Sequence, residues 1–398
     1  MKSNLFMCFK YKQIANTKIE AIVIDNNNKS NKFVTNKRIR HYGIDLGRII
    51  AIFFIINHHI IYHGGPLFKT SKMSTEYKTM LFLNIISTSG VDIFGMISGF
   101  VGFQSHKYSN LLNILLITMF YNFGIALFLK NYWLKLKISN IKLFLYPVFL
   151  TDYWYVNAYF SMYFFLPIIN KGINSIGKME MKYFIIVLFL IYSCLGQIRH
   201  YIKIFKPKDI FRLSLGFSYS WLIIAYLFGS YFGRFGKVVE TKYFLFYIGY
   251  LIYIIIIGSS KAYLIYKYNS GMIDYSAPSS VLIAVSFIKI FSNLKITNKY
   301  IIKLISFFSP LTFGIYLLHN HTLVRNHIIR NNYFSWILKY KSFKLIIMEI
   351  YCSGLIFIIC SIVEFIRNLL FKLFKIRQLC ILIVKMINYI GSIIILDD

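Results

Sequence analysis

Residues 43–59 read Gly-Ile-Asp-Leu-Gly-Arg-Ile-Ile-Ala-Ile-Phe-Phe-Ile-Ile-Asn-His-His. A helix that crosses a bilayer needs about 20 mostly apolar residues, and this stretch supplies most of one. It also carries ionisable side chains, at Asp45, Arg48, His58 and His59. Such groups are costly inside hydrocarbon unless they are paired or face a cavity. The stretch therefore predicts a membrane-spanning helix that forms part of a functional site.

The composition of the whole chain agrees with this prediction. Of 398 residues, 57% are apolar and 15% are charged. Soluble domains have about 45–50% apolar and about 25% charged residues. This balance excludes a soluble enzyme, a fibrous protein and a disordered chain. We expect an all-α polytopic membrane protein.

Apolar runs recur along the chain at lengths that suit membrane helices. We expect about ten transmembrane helices around a central polar cavity, with no separate soluble domain. The spans are predicted near residues 44–63, 80–103, 110–129, 152–170, 182–197, 213–233, 243–260, 276–292, 301–321 and 343–366.

Three regions are predicted along the chain. Residues 1–40 form a basic polar arm, and its lysines and arginines before the first span place the N-terminus in the cytoplasm. Residues 41–366 form the membrane-embedded domain. Residues 367–398 form a cytoplasmic or interfacial amphipathic tail, with an eleventh span near 379–396 as the alternative.

The net charge is +31. In a soluble protein this would suggest nucleic acid, but here the cations lie between apolar runs, where they set topology and meet lipid headgroups. We therefore expect membrane lipids and no nucleic acid as partners. The cysteines show no metal-ligand spacing, so no metal is expected. Three predicted outer loops, 130–137, 199–212 and 325–344, are nevertheless basic. Either the number of spans differs from ten, or the outer face meets an anionic molecule.

Helical geometry places two residues of the first span on one face. Arg48 and His59 are eleven residues apart, which is about three turns plus 20° and about 16 Å along the axis. Asp45 lies close to this stripe, His58 points about 80° away, and Asn57 is a further polar residue of the same span. Histidine suits proton transfer near neutral pH, and arginine suits a phosphate or carboxylate.

Two further spans contain polar residues. Asp92 in the second span is expected to pair with a cation on the first span, and Gly95 and Gly99 would allow close helix packing. The ninth span, kinked at Pro310, carries a polar stripe that consists of Thr312, Tyr316, His319 and Asn320. This stripe is either part of a site or a seam between helices.

These segments together resemble the integral-membrane acyltransferase 3 family. The first span resembles the family's Arg-x10-His helix, here from Arg48 to His59 with its Gly-Ile-Asp lead. Residues 91–100 are similar to a second motif of the family, with Gly95 in place of an aromatic residue. Residues 313–319 are similar to its late Ile-Tyr-Leu-x-His segment. The spacing of Trp154, Tyr163 and Pro167 resembles a fourth motif.

The resemblance implies an acyltransferase of the bacterial plasma membrane that uses acyl-CoA, most often acetyl-CoA, as co-substrate, with no bound cofactor. The acceptor would be a hydroxyl of a cell-surface polysaccharide or of its lipid-linked precursor. His59 would be the general base and Arg48 would meet the donor, with Asp92 as the third catalytic residue. The expected substrate-binding residues are Asp45, Asn57, Ser98, Tyr316 and His319.

Two other functions remain open at this stage. A flippase or transporter of lipid-linked saccharides would also be polytopic and basic, although no internal repeat is evident. A membrane polymerase of saccharides would rely on arginine and histidine in a large outer loop, such as residues 322–342.

Overall fold

The computed structural model describes residues 40–104, 106–128, 153–196, 213–236, 244–268 and 274–395. In these ranges the regular elements are helices and no strand occurs. The predicted arm up to residue 39 and the predicted loops at 130–137 and 199–212 lie outside them. The main helices are α1 Tyr42–His63, α2 Thr75–Thr88, α3 Gly90–Gly102, α4 Tyr108–Phe128, α5 Trp154–Ser175, α6 Lys178–Leu188, α7 Tyr219–Phe235, α8 Phe244–Tyr268, α9 Pro278–Asn293, α10 Lys299–Phe308, α11 Thr312–Asn320, α12 Ser342–Leu373 and α13 Ile376–Ile395.

Each predicted span corresponds to a helix or to two consecutive helices. Five stretches are long and apolar enough to cross a membrane, namely Tyr42–His63, Thr75–Gly102, Leu245–Lys267, Lys299–Asn320 and Phe343–Leu373. The all-α prediction is therefore confirmed for the described residues. The count of ten spans stays a prediction, as does the position of the tail helix α13, which packs against α4 and α12.

Helix α1 is central because helices pack against it on several sides, namely α2, α3, α9, α11 and α12. Two glycines allow the closest of these approaches. A Cβ atom at Gly47 would lie 2.7 Å from the ring of Phe291, and one at Gly43 would collide with the main chain of α9. The side chains along α1 therefore face other helices, and Ile52, Ile56 and Ile60 are fully buried.

Helices α3 and α7 form the tightest helix pair through glycines on both partners. Gly99 lies against the carbonyl group of Tyr226, and Gly229 lies against that of Met96. A Cβ atom at Gly95 would lie only 2.9 Å from the Cβ atom of Ala225. Small residues permit such contact between helix backbones in a membrane. The close packing predicted from Gly95 and Gly99 is confirmed.

Two breaks in the helices help to position polar groups. Ser89 separates α2 from α3, so Asp92 falls in the first turn of α3. Pro310 lies in a short 3-10 turn between α10 and α11. Because proline lacks an amide N–H, it cannot continue the α-helical hydrogen bonds at that point. The turn brings Ser309 to one end of α1 and lets α11 carry His319 to the other.

Candidate active site

At one end of α1, Arg48 belongs to a polar cluster around Asp45. The Nη1 atom of Arg48 donates to Oδ1 of Asp45 at 3.1 Å, and the Ser309 hydroxyl donates to the same oxygen at 3.0 Å. The Nε atom of Arg40 donates to the second oxygen at 2.6 Å. Asp45 thus fixes Arg48 instead of facing the pocket, while about a quarter of the Arg48 side chain stays exposed (26%).

At the other end of α1, His59 contacts His319 of α11. The Nδ1 atom of His59 lies 3.0 Å from Nε2 of His319, and Nδ1 of His319 lies 2.6 Å from the carbonyl oxygen of Ile315. Because Arg48 contacts Ser309 and His59 contacts His319, both side chains face the α10–α11 segment. This is the shared face that the helical spacing predicts.

The hydrogen bonds fix which nitrogen of each neutral ring carries a proton. The Ile315 carbonyl can only accept, so Nδ1 of His319 donates and its Nε2 is left as an acceptor. Nδ1 of His59 must then donate to that Nε2. A neutral imidazole has one proton, so Nε2 of His59 keeps a free lone pair. The arrangement can therefore accept a proton at Nε2 of His59.

A small pocket adjoins His59. Trp154 and Tyr275 stack in its wall with ring centroids 5.4 Å apart. This wall is mainly aromatic, and the predicted central polar cavity stays a prediction. The pocket is lined by Ile55, His59, Val91, Phe94, Trp154, Tyr155, Tyr275, Phe313 and Tyr316.

His58 points away from His59, as the helical spacing predicts. Its Nδ1 atom lies 2.7 Å from Oδ1 of Asn84 on α2, and its ring stacks on Tyr62. His58 therefore links two helices and does not line the pocket.

Asp92 corrects one expectation. Its Oδ1 atom accepts a hydrogen bond of 2.9 Å from the indole of Trp221 on α7, and its Oδ2 atom has no hydrogen-bond partner. Among the described residues no cation forms an ion pair with Asp92, so the expected pairing with Arg48 or His59 is wrong. The reason is its place in the first turn of α3, whose packing against α7 brings the carboxyl group to Trp221.

Asn57 also differs from its expected role in substrate binding. Its amide lies 2.7 Å from the Ser87 hydroxyl of α2 and 3.0 Å from the Ser353 hydroxyl of α12. The orientation that satisfies every partner has the amide oxygen accepting from Ser87 and the amide nitrogen donating to Ser353 and Glu349. The side chain is 6% exposed and is absent from the pocket wall. Asn57 therefore joins three helices, because α12 covers that face of α1.

The remaining expected substrate-binding residues take different positions. Tyr316 lines the pocket and accepts from Asn320 at 3.1 Å. His319 lies behind His59 and does not belong to the pocket wall. The Ser98 hydroxyl donates to the carbonyl of Phe94 in its own helix at 3.0 Å, and its role in substrate binding stays a prediction.

Two buried carboxylates of α12 were missed by the sequence analysis. Glu349 belongs to the Asn57 cluster. Glu364 forms an ion pair with Arg367 and accepts from the hydroxyl of Tyr121 at 2.6 Å. A Cβ atom at Gly314 would collide with the Glu364 carboxylate. A carboxylate within a long apolar run is a signal that could have identified both residues.

Within the described ranges, no group of three His, Cys, Asp or Glu side chains could hold a metal ion. Residues 41–366 of the chain match the family model whose description is "Acyltransferase domain". No curated protein and no solved structure matches the chain.

Proposed function

The chain belongs to the acyltransferase 3 family, and from that membership we propose that it moves an acetyl group from acetyl-CoA to a sugar hydroxyl. The acceptor would be a cell-surface polysaccharide or its lipid-linked precursor, at the plasma membrane of a bacterium. Family membership supports a membrane acyltransferase in general. The donor, the acceptor and the residue roles are our proposal.

The observation that carries the proposal is the hydrogen-bonded series from Ile315 through His319 to His59. A sugar hydroxyl is a weak nucleophile until a base removes its proton. Nε2 of His59 has the free lone pair that this step requires, and His59 lines a pocket. His319 is a positioning residue, because it acts on the reacting atoms only through His59.

In the proposed reaction a proton moves from the acceptor hydroxyl to His59 and then to the leaving group. The acceptor oxygen attacks the thioester carbonyl carbon while Nε2 of His59 takes the hydroxyl proton. The C–O bond forms, the C–S bond breaks, and the thiolate of CoA leaves. The proton on His59 passes to that thiolate, which returns His59 to its neutral form. The products are an acetyl ester and free CoA.

We assign Arg48 to the donor. The planar guanidinium suits phosphate and carbonyl oxygens, and it is partly exposed in the Asp45 cluster. Arg48 lies about 16 Å from His59 along the helix axis. A CoA whose phosphates meet the Arg48 end could extend its pantetheine arm toward the pocket. With the N-terminus in the cytoplasm, the Arg48 end would face the compartment that contains acyl-CoA.

The aromatic wall of the pocket suits the ring of a saccharide. Trp154, Tyr155 and Tyr275 offer flat apolar faces with polar edges, which can pack against the C–H groups of a sugar and bind its hydroxyls. Such a surface supports a carbohydrate acceptor beside His59.

The test is acetyl transfer by the purified full-length protein in lipid nanodiscs. Radiolabelled acetyl-CoA is supplied with a methyl glycoside, and the alkali-labile acetyl ester is measured. We expect ester formation that requires both acceptor and protein and is lost in His59→Ala. Movement of lipid-linked saccharides between leaflets without ester formation would overturn the proposal in favour of a flippase. In cells, surface polysaccharide should lose acetyl groups when the protein is removed.

A further inference from the structure

Basic side chains gather at the end of α1 that carries His59. No Asp or Glu occurs in the sequence between Asp274 and Glu349. The segment after α11 is rich in basic residues, and it packs against the end of α1. We call two of these residues, Arg325 and Arg330, the basic rim; both lie close to His63 of α1.

Arg325 is connected to the pocket through two side chains. Its Nη1 atom donates to Oδ1 of Asn320 at 3.3 Å, and Nδ2 of Asn320 donates to the hydroxyl of Tyr316 at 3.1 Å. Tyr316 lines the same pocket as His59. Arg325 also lies within electrostatic range of His59. The guanidinium is therefore linked through Asn320 and Tyr316 to the wall of the pocket where the acceptor would react.

The backbone that carries Arg325 is held in a defined position. Residues Arg325–Ile329 form a π-helical turn, a geometry often found at functional sites. The N–H of Asn331 donates to the carbonyl of His63 at 3.0 Å, and the N–H of Tyr333 donates to that of Gly64 at 3.3 Å. These bonds join the segment to the end of α1, so the basic rim is preorganised.

Exposure increases from the pocket to the rim. His59 is buried, His63 and Arg325 are half-buried, and Arg330 is exposed. A guanidinium binds a carboxylate or phosphate through two parallel hydrogen bonds. The attraction also extends about 8–10 Å at physiological salt. A ligand that enters past Arg330 would therefore meet Arg325 before it reaches His59.

We propose that the basic rim binds an anionic group, a carboxylate or a phosphate, on the saccharide acceptor, and that Arg325 determines this specificity. The inference rests on the proposed function, because it names the class of acceptor. Arg325 holds the anionic group while a hydroxyl of the same saccharide is presented to Nε2 of His59.

The experiment compares three acceptors with related rings, namely methyl β-xyloside, methyl β-glucuronide and methyl β-glucoside 6-phosphate. The first lacks the sixth carbon, and the others carry a carboxylate or a phosphate there. We measure kcat/KM for acetyl transfer in nanodiscs of neutral lipid. We also measure binding of each glycoside by saturation-transfer NMR, which requires no transfer. Comparison of the glucuronide with the glucoside 6-phosphate identifies which anion the basic rim prefers.

In the wild type we expect at least one anionic glycoside to have a higher kcat/KM for acetyl transfer than the xyloside. Arg325→Gln should lower that ratio of kcat/KM at least about tenfold, since a hydrogen bond to a charged group is worth that much. Arg325→Lys should lower it by less. Lys339→Gln, a change at an exposed cation of the same segment, is the matched control and should leave the ratio within about twofold.

If the ratio of kcat/KM between the anionic glycoside and the xyloside is the same in the wild type and in Arg325→Gln, the inference is overturned. Ester formation in that experiment would still support the proposed function. Selective binding of the anionic glycosides without ester formation would support the basic rim and contradict the transferase. No preference for the anionic glycosides in neutral lipid, together with binding of an anionic lipid that Arg325→Gln abolishes, would show that Arg325 binds lipid headgroups, which would also overturn the inference.

Discussion

The Nδ1 atom of His59 and the Nε2 atom of His319 lie 3.0 Å apart, although the two residues are separated by 260 positions in the chain. This contact joins the first long helix to α11, and it leaves the outer nitrogen of His59 unprotonated in the neutral state. The two histidines therefore act as a unit, with one ring available for proton transfer and the other fixing its tautomer.

The two adjacent histidines of α1 should differ in their effect on activity. His59→Ala should lower acetyl transfer by about 10²- to 10⁴-fold, the usual contribution of a general base. His58→Ala should keep substantial activity, because His58 contacts Asn84 and not the pocket. Both variants are compared at equal amounts of folded protein. The opposite result, with His58→Ala inactive and His59→Ala active, would show that the assigned face of α1 is wrong.

His319→Ala should lower kcat by about 10- to 100-fold, less than the full contribution of the base, because His59 keeps its lone pair but loses its preferred tautomer. The KM for each substrate should change little, since His319 does not line the pocket. The double variant with His59→Ala should be no less active than His59→Ala alone, because residues that act as a unit are not additive. A further multiplicative loss in the double variant would contradict this role.

Arg48→Lys should raise the KM for acetyl-CoA more than the KM for the acceptor. Lysine keeps the charge but loses the planar fork that binds two oxygens at once. The measurement is initial-rate kinetics with each substrate varied in turn, and the acceptor KM of the same variant is the internal control. An unchanged donor KM together with a raised acceptor KM would place Arg48 at the acceptor.

Gly99→Ala should destabilise the protein by about 1–3 kcal/mol or prevent folding, because its Cβ atom would collide with the main chain of Tyr226. The matched control is Gly124→Ala in α4, where a Cβ atom meets nothing within 4 Å. That change should be neutral or stabilising by up to about 1 kcal/mol from helix propensity. Thermal unfolding in nanodiscs measures both variants. Equal melting temperatures would mean that α3 and α7 can separate without cost.

The sequence predicted the helices well because apolar runs of membrane length are a strong and local signal. It predicted the Arg48 and His59 face equally well, since helical periodicity is also local. It did not reveal the break at Ser89, where no proline or glycine run marks an end. The partner of Asp92 is Trp221 of α7, and a single sequence does not show which helix packs against α3.

Contacts between distant segments could not be predicted from the sequence. Asn57 is close to His59 in the chain, but its partners Ser353 and Glu349 lie almost 300 residues later. The His59–His319 bond likewise depends on how α11 packs after Pro310. A single sequence shows that these polar groups need partners. It does not show which of several polar groups each one meets.

The separation of His59 from His319 has a consequence for biogenesis. A ribosome that adds about 5–20 residues per second needs roughly 13 to 52 s to synthesise the 260 residues between them. During that interval α1 resides in the bilayer, or in the insertion machinery, while His59 lacks its partner His319 and Asn57 lacks its partner Ser353. The nascent chain therefore passes through a stage at which these two side chains of α1 depend on a chaperone, on lipid or on water. Truncated products that end before α11 should accordingly be recognised by membrane quality control.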